Sequence, residues 1–84
     1  MKDGRRRLAL ELRGEYIALD ALLKATGIAP SGGAARQMIV DGHVQVDGIE
    51  ERRKTRKLRA GQIVSVADAE VSVLGPAPSD RNED

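Results

Sequence analysis

The chain is poor in the residue types that build many small functional sites. Among its 84 residues there is no cysteine, tryptophan or phenylalanine, and there is a single histidine. Without cysteine, neither a disulfide framework nor a thiolate metal site can form, and His43 alone argues against a metal centre. No stretch approaches the roughly 18 apolar residues of a membrane span, and Glu11 and Arg13 interrupt the N-terminal apolar run too early for a signal peptide. We therefore expect a cytoplasmic protein with an aliphatic core, no cofactor, no metal and no membrane partner.

The sequence also lacks the patterns that support catalysis. Asp20, Asp41 and Asp47 fall at an expected helix start, helix end and turn, where acids commonly have structural roles. No Ser/His/Asp or Cys/His arrangement can be assembled. The glycine pair at 32–33 is not followed by the Gly-Lys-Ser/Thr of a phosphate-binding loop. We expect a protein that is not an enzyme.

What the chain does have is charge that is unevenly placed. The net charge is only +1, but residues 5–7 are all arginine and residues 52–57 hold five cations and one threonine. Such crowding of like charges is tolerated most easily when a polyanion compensates it. The alternative is a solvated arm that Glu50, Glu51 and nearby acids partly neutralise.

Hydrophobic periodicity predicts a small α+β domain over residues 1–74. Residues 7–12, "RLALEL", alternate as a half-buried strand does, and Leu19, Leu22 and Leu23 have helical spacing with Gly27 as a C-terminal cap. Further strands are predicted around residues 63–66 and 71–73. From residue 75 the sequence has Pro, Gly and charge without periodicity, so residues 75–84 are predicted to be a disordered tail.

The middle of the chain predicts a second helix and a hairpin. Ser31 is a good N-cap and Gly42 is placed to end the helix. Ala35, Met38 and Ile39 form the inward stripe, which leaves Gly33, Arg36, Gln37 and Val40 on the other side. The pair Asp47-Gly48 is the preferred sequence for a two-residue hairpin turn.

The order of these elements resembles the S4 domain, the RNA-binding module of a ribosomal protein. It resembles most of all the small stand-alone bacterial members of the YbcJ-like group. The residues that carry the resemblance are "LDALLKATGIAPSGGAARQMIVDGHVQVDG" at 19–48 and "RRKTRKLRAGQIVSV" at 52–66. The resemblance implies the alpha-L RNA-binding motif, in which two short helices pack on a small, mostly antiparallel sheet. It also implies a structured RNA as partner, either ribosomal or transfer RNA, with the ribosome or an RNA-modifying enzyme as a further partner. The oligomeric state is left open.

The family's RNA surface is formed by the second helix and the loops beside it. Carried over to this sequence, it implicates Ser31, Gly32, Gly33, Arg36, Gln37, Arg52, Arg53, Lys54, Arg56 and Lys57. Many S4 domains have basic residues directly after the serine that starts the second helix, where this chain has the two glycines.

Several of these features have a structural interpretation as well. The glycine pair either lets a phosphate approach the free N–H groups of a helix start or allows close helix packing or a tight entry turn. Arg36 and Gln37 are also ordinary residues for an exposed helix face. Tyr16 is suited to stack on a base, but as the only aromatic residue it is expected to be a partly buried packing residue. A different class of function is a protein-interaction adaptor that docks on an acidic partner in a ribosome-associated complex.

Overall fold

The computed structural model describes residues 6–76. Along the chain they form the strands and helices β1 (Arg6–Glu11), β2 (Ile17–Ala18), α1 (Leu19–Ala25), α2 (Gly32–Val40), β3 (Val44–Val46), β4 (Ile49–Glu50), β5 (Lys57–Leu58), β6 (Ile63–Val66) and β7 (Ala69–Leu74). The predicted α+β class with two short helices is confirmed. Residues 1–5 and all but the first two residues of the predicted tail lie outside the described residues.

Five strands make one sheet in the order β1-β7-β6-β3-β4, and β2 and β5 form a separate two-stranded ladder. All pairs are antiparallel except β1 with β7. The register aligns valines across the central strands, with Val46 beside Val64 and Val64 beside Val71. Because side chains alternate along a strand, these residues share one buried face of the sheet.

The helices complete the core on that face. Leu19, Leu22 and Leu23 of α1 and Ala35 and Ile39 of α2 are buried in one cluster with the strand valines. Met38 packs against the cluster from its edge, so the inward stripe predicted for α2 is confirmed. Within residues 6–76 no helix has the length and apolar character that crossing a membrane requires.

Left-handed backbone conformations end both helices and close both hairpins. Gly27 and Gly42 follow α1 and α2 with φ of +80° and +84°, as in common helix C-terminal caps. Asp47 and Gly48 have φ of +53° and +83° between β3 and β4, as the predicted two-residue turn requires. The turn between β6 and β7 places Ala67 at φ +51°, where alanine is uncommon, and the sequence carries no signal for it.

Candidate nucleic-acid interface

The basic segment, residues 51–57, passes directly over the start of α1. The residue before that helix is Ala18, whose side chain provides no cap. Instead, the backbone N–H of Leu19 donates to the carbonyl of Arg56 at 2.9 Å, and that of Asp20 donates to the carbonyl of Lys54 at 3.1 Å. Helix starts have N–H groups without intrahelical partners, and here the basic segment supplies the acceptors. Its backbone is therefore fixed to the helix.

Glu51 fixes the same segment from inside. Its carboxylate accepts the backbone N–H and the Nε of Arg53, both at 3.0 Å, and the Nη1 of Arg56 at 2.6 Å. The Glu51 side chain is 10% exposed, whereas those of Arg53 and Arg56 are 74% and 30% exposed. One buried acid thus holds two arginines whose guanidinium groups face outward.

These hydrogen bonds lower the pKa of Glu51 from its usual value of 4.5 to about 2. The largest cause is the hydrogen bond from the Arg53 side chain, followed by those from the Arg53 backbone and the Arg56 side chain, and burial opposes them. The carboxylate in turn raises the pKa of Arg53. Glu51 is therefore an anion at neutral pH, as its hydrogen bonds to the two arginines require.

A concave depression of about 730 Å³ lies between the basic segment and α2. Its lining is Arg36, Arg53, Lys54, Thr55, Arg56 and Lys57. Arg36 reaches it from the exposed side of α2, and its Nη1 lies 3.5 Å from Oδ2 of Asp20 at the start of α1. Within the described range, no carboxylate forms an ion pair with Lys54 or Lys57. The structure therefore brings five cations from two separate parts of the chain to one surface.

Other residues predicted for the site lie around this depression. Ser31 caps α2, and its hydroxyl accepts the backbone N–H of Ala34 at 3.1 Å. Gln37 donates to Oδ1 of Asp41 at 2.9 Å along the exposed side of α2. Neither Ser31 nor Gln37 lines the depression, although both belong to the helix that supplies Arg36.

Arg52 lies at the C-terminal end of α2. Its guanidinium forms an ion pair with Glu50 and donates to the carbonyl of Val40 at 3.4 Å. The C-terminal end of a helix carries a partial negative charge, so Arg52 stabilises that end. It is the one member of the predicted basic run that does not line the depression.

The glycine pair does not serve close packing between the helices. A Cβ added at Gly33 would have only the Ser31 hydroxyl within 4 Å, and one added at Gly32 would meet the Arg36 guanidinium at 3.3 Å. Neither glycine has a positive φ. Close helix packing therefore does not explain the pair, and the approach of a phosphate and a tight entry turn stay predictions. Gly32 leaves room for the Arg36 side chain at the edge of the depression.

Tyr16 is partly covered by its neighbours and also lies beside two cations. Its side chain is 46% exposed, and the Lys57 Nζ and Arg59 Cζ lie 5.0 and 5.7 Å from the ring centroid. From the sequence, base stacking by Tyr16 was only an alternative to packing, and neither Arg59 nor Glu51 was assigned to the site. The β2–β5 ladder brings Tyr16 beside the cations. Each of these strands has only two residues, which is too short for hydrophobic periodicity in the sequence to reveal the pairing.

The chain is similar to known proteins over most of its length. The model of the S4 domain family matches residues 10–74. The chain is 44% identical over 59 residues to YbcJ of Escherichia coli (strain K12), which is 70% of this chain and 84% of YbcJ. It is also 40% identical over 50 residues, 60% of this chain, to a quarter of the small ribosomal subunit protein uS4 of Staphylococcus carnosus (strain TM300).

A solved structure supports the same assignment. The solution structure of YbcJ from E. coli, described as revealing an alfaL motif involved in RNA-binding, aligns with a TM-score of 0.61 and 38% sequence identity. The alignment covers 88% of this chain and 91% of that one. Both helices and the basic depression lie inside the residues that the family model matches.

Proposed function

The chain belongs to the S4 domain family, and from this premise we propose that it is a non-catalytic, cytoplasmic protein that binds structured RNA through the depression between α2 and the basic segment. The observation that carries the proposal is the convergence of five cations on one concave surface. Two of them, Lys54 and Lys57, have no carboxylate partner among the residues of the structure. A phosphate backbone is the polyanion that neutralises such a surface.

The arginines and lysines act differently in this mechanism. Arg53 and Arg56 are oriented by Glu51 before RNA arrives, so little side-chain entropy is lost when a phosphate contacts their outward N–H groups. An arginine fork matches two phosphate oxygens. Lys54 and Lys57 contribute charge on flexible stems. The start of α2 at Ser31–Gly33 is a second anchor for a phosphate in this proposal, with Gln37 beside it to reach a base edge or a 2′-hydroxyl.

Structured RNA is favoured over single strands by the shape of the surface. A concave depression whose backbone is hydrogen-bonded to α1 fits a defined backbone path, and A-form RNA offers proteins chiefly its backbone and 2′-hydroxyl groups. The similarity to uS4 makes ribosomal RNA the first target to test and transfer RNA the second. The ribosome or an RNA-modifying enzyme remains the proposed setting.

The test is binding of the purified protein to a structured ribosomal RNA fragment over a salt series. About five neutralised phosphates predict a slope of log K against log salt of about −3 to −4. Lys54→Glu should weaken binding about tenfold at 0.1 M salt and make the slope shallower by about one. Thermal melting of this exposed variant should be unchanged.

The matched control is Lys24→Glu. Lys24 is an exposed lysine in the last turn of α1 and does not line the depression. Lys24→Glu should change the affinity for the RNA less than about twofold, since long-range charge effects are screened. Equal losses for the two variants, or a flat salt dependence of the wild type, would contradict the proposal. RNA-independent capture of an acidic protein that Lys54→Glu abolishes would favour the adaptor alternative instead.

A further inference from the structure

A second concave surface lies next to the basic depression and has a different character. It is a groove of about 440 Å³ between the end of β1, the loop that follows it and the end of α1. Most of its wall is apolar, formed by Leu10, Leu12, Tyr16, Ile17 and Ala25, and Glu11, Arg13 and Gly14 complete the lining. The chain has one aromatic side chain, and it lies at this groove with nearly half of its surface exposed.

Cations join the groove to the depression. Ile17 pairs with Leu58 across the β2–β5 ladder, which places Tyr16 beside Arg59. The Lys57 Nζ lies 5.0 Å from the ring centroid and the Arg59 Cζ 5.7 Å, and Lys57 also lines the basic depression. Lys57 therefore belongs to both surfaces, because it lines the depression and lies over the tyrosine ring.

We propose that the groove receives one unpaired nucleobase of the bound RNA, stacked on the Tyr16 ring while its phosphate contacts Lys57 and Arg59. This inference rests on the proposed RNA binding and adds that the target has an unpaired nucleotide beside its helical part. A cation–π contact at an exposed site is weak, so a phosphate can draw Lys57 away from the ring. The freed ring then offers its π-face to a base.

The charge at the rim favours a nucleotide over an apolar peptide as the occupant. An apolar side chain gains nothing from two cations at the entrance, whereas a nucleotide presents an anion and a flat apolar ring a few ångströms apart. The groove has ample room, since a volume of about 440 Å³ lies within the range of small-ligand pockets. Stacking on an aromatic ring is tolerant of base identity, so the groove accepts an unpaired base without selecting a particular one.

The experiment compares two RNA duplexes of one sequence, one fully paired and one with a single bulged 2-aminopurine. The wild type should bind the bulged duplex about tenfold more tightly, as one stacked base contributes, and should quench the 2-aminopurine fluorescence. Tyr16→Ala should bind both duplexes with the affinity that the wild type has for the paired one. Tyr16→Phe, which keeps the ring, should retain the preference and the quenching.

Tyr16→Leu separates stacking from simple apolar contact, because it fills the groove without a π-system. If Tyr16→Leu or Tyr16→Ala retains the preference, or if the wild type binds both duplexes equally, the stacking inference is overturned while RNA binding stands. If the wild type binds neither duplex with a salt-dependent affinity, the proposed function itself fails. Thermal melting of each variant shows whether it is folded. If Tyr16→Ala does not fold, the aminopurine signals of Tyr16→Phe and Tyr16→Leu still decide the test, because only Tyr16→Phe keeps the ring.

Discussion

Glu50 pairs with Arg52 in an exposed position, whereas its neighbour Glu51 is buried beside Arg53 and Arg56. The Glu50 side chain is 48% exposed and that of Glu51 is 10% exposed. Successive side chains of an extended chain point to opposite sides, so two adjacent acids face different surroundings. The Glu50–Arg52 pair lies at the C-terminal end of α2, and the Glu51 cluster, which is Glu51 with Arg53 and Arg56, shapes the basic segment.

The difference shows that charge count alone does not define the candidate interface. Both acids neutralise arginines, but only Glu51 does so from inside, with hydrogen bonds to a backbone N–H as well as to side chains. The Glu51 cluster therefore exposes oriented guanidinium groups, while the Glu50–Arg52 pair presents a local pair of opposite charges. A run of basic residues in the sequence thus divides into parts with separate structural roles.

The largest effect is expected on stability. Glu51→Ala should lower the free energy of unfolding by about 2 to 3 kcal/mol at pH 7, because it removes four hydrogen bonds of a buried carboxylate and leaves two arginines repelling each other. Glu50→Ala, the control one residue away, should cost less than about 0.5 kcal/mol, as is typical of exposed ion pairs. Urea denaturation measures both. Equal losses would show that burial of Glu51 is not what distinguishes the two acids.

A smaller effect is expected in how the stability contributed by Glu51 depends on pH. The pKa of Glu51 is lowered in the folded state to about 2 from a usual 4.5, so its stabilisation is complete above about pH 4.5 and is lost as the pH falls toward 2. After allowance for screening by solvent, the loss is about 2 kcal/mol. The measurement is urea denaturation from pH 7 to pH 2 for the wild type and Glu51→Gln, whose difference should shrink over that interval. A difference in unfolding free energy that stays constant from pH 7 to pH 2 would mean that the pKa of Glu51 is the same in the folded and unfolded states.

Local patterns in the sequence predicted much of this fold. The two helices follow from apolar spacing between good end signals, Ser31 and the glycines 27 and 42, and the β3–β4 hairpin follows from Asp47-Gly48. The parallel pairing of β1 with β7 was not predicted, because it joins residues far apart in the chain and is decided by which edge of the sheet remains open. The turn at Ala67 was missed because alanine rarely adopts a positive φ.

Less of the candidate site than of the fold could be predicted from the sequence. The crowding of cations at 52–57 indicated a segment of which residues 53–57 line the depression. An acid before a basic run, however, looks the same in the sequence whether it is solvated or buried. The role of Glu51 depends on the side of the chain to which it points, and that of Tyr16 depends on the β2–β5 ladder. Both are consequences of tertiary packing. For the same reason the sequence grouped Arg52 with Arg53, although only Arg53 lines the depression.

The smallest expected effect tests by RNA binding whether Arg52, which lies outside the depression, belongs to the RNA surface. Arg36 and Arg52 are both exposed and both paired with a carboxylate, but Arg36 lines the depression and Arg52 covers the end of α2. Arg36→Gln should weaken RNA binding about fivefold and make the salt slope shallower by about 0.7 to 0.9, the contribution of one phosphate contact. Arg52→Gln should change the affinity less than about twofold, since the negative end of a helix dipole disfavours phosphate there. Titrations at three salt concentrations compare the two variants. If Arg52→Gln weakens binding as much as Arg36→Gln, the RNA surface extends across the end of α2 and includes the Glu50–Arg52 pair, as the basic run in the sequence predicts.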